Sequence, residues 1–182
     1  MMLEKPIETE RLLLREFIDD DFAAILQYAS DPEVTRYVRF GPTTEDVTRT
    51  FLQKTIAEQK SDSRKNFDLA IILKSHQRLI GACGIHLQEK GNGDIGYTFI
   101  RSFWGYGYAT EAANALLTFG FEKLGLHRMT ATCDVRNAAS FRVMEKIGMR
   151  REGHFHEDVW QRDHWRDSYL YAILETDWRN PL

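Results

Sequence analysis

The stretch Arg101-Ser-Phe-Trp-Gly-Tyr-Gly-Tyr-Ala-Thr-Glu111 sets Gly105 and Gly107 between an apolar run, Ile95 to Ile100, and a helical pattern that begins at Tyr108. Glycine lets a backbone bend sharply and come close to a ligand. The first turn of the helix that follows offers unpaired N–H groups and a partial positive charge. The chemistry of such a turn is anion binding, with phosphate the usual occupant. Gly-x-Gly before a helix also serves as a plain tight turn, so the segment alone leaves both readings open. A second polar helix start, Asn137-Ala-Ala-Ser140, lies farther on. There Asn137 can cap the helix through its side-chain oxygen, bond a ligand through its amide, or do both. Asp94 and His86 sit on adjacent β-like runs. An imidazole titrates in the range suited to base work, but a lone strand histidine also serves structure, and Asp94 also terminates the Gly91-Asn-Gly93 turn.

The elements that must position these residues can be read from periodicity. Arg11 to Phe17 reads as a strand, followed by a helix with Phe22, Ile25, Leu26 and Ala29 on one face. A second helix is expected from Thr44 to about Lys60, with Val47, Phe51 and Ile56 inward, and the two helices form a flap near the front of the domain. Asn66 to Lys74, Arg78 to Gln88 and Asp94 to Ile100 are β-like runs joined by short polar turns, an antiparallel meander. The helix from Tyr108 to Leu124 ends at Gly125, a capping glycine. His127 to Val135 is a strand and Asn137 to Ile147 a helix closed by Gly148. Met149 to Val159 and Asp167 to Thr176 are strands joined by a polar, aromatic loop, Trp160 to Arg166. The expected class is α/β, a mixed and mostly antiparallel central sheet of about seven strands, splayed in the middle, with helices on both faces. A Rossmann unit is excluded, since strands do not alternate with helices and Thr110 stands where a third glycine belongs.

A chain of 182 residues is expected to form one domain, residues 1–182, with a core that needs no staples. A net charge of −3 argues against a general nucleic-acid footprint. The apolar runs are too short for a membrane span, and an N-terminus with Glu4, Glu8 and Glu10 lacks the order of a signal peptide, so a cytoplasmic protein is expected. Cys83 and Cys133 read as small buried hydrophobes. No metal is expected, for the cysteines fall outside metal-ligand spacings and so does the cluster His164, Trp165, Arg166 and Asp167.

Glu145-Lys-Ile-Gly-Met149 and Arg151-Glu-Gly153 follow the two helix starts, and these segments in this order resemble the GNAT superfamily of acyl-CoA N-acyltransferases. The closer similarity is to its RimJ/RimL-like branch. It runs from Arg11-Leu-Leu-Leu-Arg15 through Ile80-Gly81, Ile95-Gly-Tyr97 and Trp104-Gly-Tyr-Gly-Tyr-Ala-Thr-Glu-Ala112 to Asp167. Trp104 departs from the Gln or Arg of the wider superfamily and agrees with this branch. The resemblance implies acetyl-CoA as cosubstrate, its pantetheine in a wedge between the strands ending at Ile100 and Val135. Phe99 and Ile100 would lie beside the thioester, and Trp104, Gly105, Tyr106, Gly107, Tyr108, Ala109 and Thr110 around the pyrophosphate, with Asn137 in the wedge. For the side chains of Trp104, Tyr106 and Tyr108, packing weighs ahead of ligand contact. The resemblance puts Ser140 near the cofactor sulfur, where a hydroxyl can meet the departing thiolate. It puts an acidic residue at Asp94, and it lets the His164 to Asp167 hairpin frame the acceptor pocket. Glu111 reads as a structural acid in the first turn of its helix.

The implied reaction moves acetyl from acetyl-CoA directly to a primary amine, with a protein N-terminal α-amine of the ribosomal-protein type as acceptor. Alternatives are a small-molecule amine (a polyamine, an amino-acid derivative or an aminoglycoside), a non-catalytic acyl-CoA-binding module, and a nucleotide-binding domain using the same turn. No nucleic-acid or membrane partner is expected. The acceptor's identity, the base and the oligomeric state stay open, a homodimer among the options.

Overall fold

A computed structural model describes Leu3 and residues 5–180. Glu4, part of the N-terminal reading, lies outside the described residues. In chain order the strands are β1 (Ile7–Glu8), β2 (Leu12–Glu16), β3 (Asn66–Leu73), β4 (Arg78–Leu87), β5 (Asn92–Phe99), β6 (Arg128–Asp134), β7 (Arg150–Gln161) and β8 (His164–Leu174). The helices are α1 (Phe22–Ala29), α2 (Pro32–Thr35), α3 (Glu45–Gln59), α4 (Tyr108–Thr118), α5 (Ala138–Lys146) and α6 (Glu175–Arg179). The strands form one eight-stranded sheet in the order β1-β2-β3-β4-β5-β6-β8-β7. Every neighbouring pair is antiparallel except β5 and β6. The expected class stands, with the two-residue strand β1 added at one edge; so short a run carries no period to read.

Strand alternation divides the core between the two faces of the sheet. Leu12, Leu14, Leu69, Ile71, Ile85 and Ile95 pack with α4 and α5 residues such as Ala112, Leu116 and Met144. Ala70, Ile72, Leu79 and Phe17 pack with Ile25, Tyr28 and Leu52 of α1 and α3 on the other face. Thr44 caps α3, its hydroxyl accepting from the Val47 N–H at 3.4 Å, as the sequence suggests. The inward stripe of α3 differs from expectation at two of its three positions, while Ile56 packs against the core as expected. Thr48, Leu52, Thr55 and Gln59 are buried, whereas Val47 is 54% and Phe51 40% exposed. Their apolar character marked the wrong face, because three of the four buried side chains are polar.

Two further corrections concern element ends. The helix expected to reach Leu124 is α-helical only to Thr118, then widens into a π-turn over Phe119–Lys123. A Cβ at Gly120 would collide with the Met129 sulfur, so this glycine lets the helix end lie against β6. The expected loop from Trp160 to Arg166 is mostly strand. Gln161 pairs with His164, and only Arg162 (φ 51°) and Asp163 (φ 60°) form the turn. Two consecutive left-handed residues make the tight connection whose twist matches the flanking strands. The last strand stops at Leu174, where the expected Thr176 already belongs to α6.

Candidate active site

The site begins where two parallel strands part. β5 and β6 pair over Asn92↔Arg128, Gly93↔Met129 and Asp94↔Thr130, and no further. On its other edge β5 stays bonded to β4 up to Gly81↔Phe99. The Ile100 N–H donates to the Ile80 carbonyl at 2.9 Å. By alternation the main-chain groups of Tyr97 and the N–H of Phe99 turn the other way, into the gap, while the Phe99 carbonyl is taken by Trp104. Such groups need partners, and an extended amide-bearing ligand supplies them as an added strand would.

At the mouth of the gap stands the glycine turn. Gly105 has φ 84° and Gly107 φ 82°, conformations that side-chain-bearing residues rarely adopt. A Cβ at Gly105 would meet nothing within 4 Å and one at Gly107 only Arg11 Nη2 at 3.6 Å, so conformation, not space, demands glycine here. The turn is braced from behind. Trp104 Nε1–H donates to the Phe99 carbonyl at 2.9 Å, and Arg11 Nη1 to the Tyr106 carbonyl at 3.0 Å. Glu111 accepts from the Thr9 hydroxyl (2.6 Å), the Arg11 N–H (2.8 Å) and Arg11 Nε (2.7 Å), which is the structural role its position suggests. With the carbonyls tied back, the N–H groups from Gly105 to Thr110 donate to no protein acceptor among the described residues. Unspent donors at a helix start are what an anion binds.

Across the gap, Asp134 starts the turn into α5. It accepts from the Arg136 N–H and Nε, both at 2.9 Å, and from Nη2 at 2.7 Å. Burial pushes its carboxyl up, but the Arg136 bonds outweigh that and hold it below the usual range. Asn137 caps α5, its Oδ1 accepting from the Ser140 N–H at 3.2 Å, a structural role that spends only the side-chain oxygen. Tyr97 reaches from β5 to α5, donating to the Ser140 carbonyl at 2.9 Å with its oxygen 3.3 Å from Ser140 Oγ. Burial pushes the Tyr97 phenol well above its ordinary value. It therefore stays protonated and holds the α5 entry in place.

Asp94 and His86 are Cα partners on β5 and β4 and face the other side of the sheet from Tyr97 and Ser140. Asp94 is half-buried at the rung where the strands part. Burial raises its carboxyl above the usual range, against the Thr130 hydroxyl, His86 and Arg39, which favour the anion. The Thr130 hydroxyl lies 3.1 Å from Asp94 Oδ1. His86 is exposed, and its Nε2 lies 3.0 Å from Asp68 Oδ1. That bond raises the imidazole, outweighing burial. The three candidate catalytic residues thus fall on two sides of one opening, Ser140 on one and Asp94 with His86 on the other. Asp68, Tyr97 and Thr130 were missed; Tyr97 stood in the Ile95-Gly-Tyr97 motif, and its alternation toward α5 was the available signal.

The rim on the Asp94 side is strapped down. Arg162 donates to the carbonyls of Arg36 (2.9 Å) and Gly41 (2.9 Å), Gln161 to that of Val38 (2.6 Å) and Arg166 to that of Tyr37 (2.7 Å). The β7–β8 hairpin thereby fixes the segment after α2.

The family model described as an acetyltransferase (GNAT) domain matches residues 11–150. The chain belongs to the GNAT acetyltransferases. It is 41% identical over 178 residues to YnaD of Bacillus subtilis (strain 168), named an uncharacterized N-acetyltransferase, covering 94% of this chain and 98% of that one. A crystal structure of a GNAT-family acetyltransferase from Bacillus anthracis superposes with a TM-score of 0.84 at 41% identity, over 94% of this chain and 99% of that one. RimL, described as a ribosomal L7/L12 α-N-protein acetyltransferase in complex with coenzyme A, shares the fold with a TM-score of 0.83 at 20% identity, covering 93% and 98% of the chains. This GNAT chain is thus an acetyl-CoA-dependent N-acetyltransferase acting on an amine-bearing acceptor. Among its described residues no helix is long and apolar enough to cross a membrane.

Proposed function

We propose that this GNAT enzyme acetylates the α-amine of a protein or peptide N-terminus, through an opening that admits acetyl-CoA on one face of the sheet and the amine on the other. The observation that carries the reading is Asp94, half-buried at the last β5–β6 rung on the face away from Ser140. An amine must be neutral to attack. An α-amine near pKa 7.7–8 is about one unit from neutrality at pH 7, whereas a lysine amine near 10.4 is over three units away, roughly 4.6 kcal/mol. A single carboxylate, acting through water, suits the smaller demand. The names of RimL and of the B. subtilis relative YdaF, a ribosomal N-acetyltransferase by designation, point the same way.

The residues present fit the cosubstrate. The free N–H groups of Gly105 to Thr110 would hold its pyrophosphate, and the main chain of Tyr97 and Phe99 its pantetheine amides, with Ile100 buried behind the strand end. The bound thioester supplies an activated acetyl group. The Phe99 N–H at the end of β5 would polarise its carbonyl. Asp94, assisted by His86 held on Asp68, takes the amine proton through water. The Ser140 hydroxyl meets the thiolate. A simple thiol near pKa 8.5 is already a tolerable leaving group, so Ser140→Ala is expected to lower kcat about tenfold to a hundredfold; a loss under about twofold in a CoA-release assay removes Ser140 from the mechanism.

The strapped rim from Thr35 to Gly41 supports a second reading, a small-molecule amine in a narrower pocket. CoA release measured with free-N-terminal peptides, α-blocked lysine peptides, polyamines, amino-acid derivatives and aminoglycosides decides between them. The highest kcat/KM is expected for a free α-amine; a polyamine or aminoglycoside ahead of every peptide overturns the acceptor, and no CoA release with any amine overturns catalysis.

A further inference from the structure

A cluster outside the opening gathers metal-ligand chemistry that the sequence spacing does not disclose. His154 and His156, two residues apart on β7, project from one face of the strand. β8 brings Asp167 against them. Asp167 Oδ2 lies 3.0 Å from His154 Nε2 and 3.1 Å from His156 Nδ1, and the ligand atoms of all three lie within 4.8 Å of one another. A tetrahedral zinc ion with bonds of about 2.0–2.2 Å spaces its ligand atoms about 3.3–3.6 Å apart. The two imidazole–carboxylate distances, 3.0 and 3.1 Å, lie just inside that spacing, and no two of the three ligand atoms are more than 4.8 Å apart.

The surroundings hold the three in place. The β7–β8 register slips between Phe155 and Val159, and Glu157 takes φ 47° in the slip. Its N–H turns inward to donate to Asp167 Oδ1 at 2.9 Å, which fixes the carboxylate and leaves Oδ2 facing the imidazoles. Outer hydrogen bonds of this kind orient metal ligands. The imidazole rings lie 4.2 Å apart, and the Tyr169 ring meets His154 edge-on at 5.1 Å. His154 and His156 are exposed, so an ion has access from solvent.

We propose that His154, His156 and Asp167 form a binding site for a divalent transition metal of the zinc type, its remaining positions open to water. Two imidazoles and one carboxylate favour zinc, copper or nickel over magnesium or calcium, which take oxygen ligands. Each imidazole must be neutral to ligate, so the ion replaces the protons these nitrogens share with Asp167. A bound ion clamps β7 to β8 across the slip.

The test uses the full chain without a histidine tag, stripped with chelator. Calorimetric titration with zinc chloride at neutral pH is expected to give one site per chain, and zinc is expected to raise the unfolding temperature. Cobalt(II) in its place is expected to give visible bands of the intensity of four-coordinate geometry, without thiolate charge transfer. His156→Ala and Asp167→Asn are expected to weaken zinc binding tenfold to a hundredfold or more. His164→Ala, whose ring Nδ1 instead faces the Arg162 carbonyl at 3.0 Å, leaves binding unchanged. No zinc uptake by the folded native chain overturns the proposal, as does a cobalt spectrum with thiolate bands or binding undiminished in a His154→Ala/His156→Ala protein. The cobalt spectrum of the native chain keeps the test valid if a variant fails to fold.

Discussion

A Gly107→Val protein is expected to bind coenzyme A at least about a hundredfold more weakly than the native enzyme while keeping its fold. The reason is conformational. At φ 82° a β-branched residue is a backbone outlier, and it escapes only by rotating the peptide units on either side. Those peptides carry the N–H groups proposed to meet the pyrophosphate. Crowding contributes little, since the nearest atom to an added Cβ is Arg11 Nη2 at 3.6 Å. Asparagine tolerates left-handed backbone better than valine, so Gly107→Asn is expected to retain an intermediate affinity. Calorimetry with CoA, alongside thermal unfolding, separates the cases; unchanged affinity in the valine protein means the diphosphate is held elsewhere.

Asp94→Asn is expected to lower kcat by about 10²–10⁴ with little change in the KM for acetyl-CoA. The amide cannot take a proton, but it preserves shape and can still bond the Thr130 hydroxyl. The native pH profile carries a second signature. Protonation of the amine sets one limb near its own pKa of about 8; a carboxylate base works ionised, so its contribution is full above its folded-state pKa and is lost, as a further limb, where pH falls through it. Burial raises the Asp94 pKa, so this acid limb should lie at higher pH than the 3.9 of an ordinary aspartate. His86, its own pKa raised by Asp68, favours the Asp94 anion through its positive charge. The asparagine variant should lose the carboxylate limb, keeping that of the amine, along with most of its rate. A variant that keeps more than about half of kcat, or the same acid limb, excludes Asp94 as the base.

What could be read from the chain was what local chemistry dictates. Gly105 and Gly107 announced a turn, Thr44 and Asn137 announced helix starts, and the β-like runs of β3 to β5 with their short polar turns announced a meander. The opening was legible only as an implication of family likeness, because nothing local tells β5 and β6 to part after Asp94↔Thr130. The partners were hidden for the same reason. Tyr97 and Ser140 are 43 residues apart, and His86 and Asp68 are 18 apart; each pair exists only through sheet register. The Arg162-Asp163 turn lacks the glycine that marks most tight hairpins, so the ends of β7 and β8 read as loop. Val47 and Phe51 misled because α3 buries threonines and a glutamine instead.

The outermost strand, β7, runs twelve residues along the border of the sheet. A border of that length, with Phe155 and Trp160 partly bare, would be an open template on which a foreign chain could crystallise rung by rung. Its kink at Glu157 breaks the template into two short pieces whose bonding directions no longer agree, and Arg151, Glu152 and Asp158 stud it with both signs of charge. The same irregularity that gathers two imidazoles about a carboxylate therefore also keeps neighbouring molecules from zipping together when the protein is concentrated.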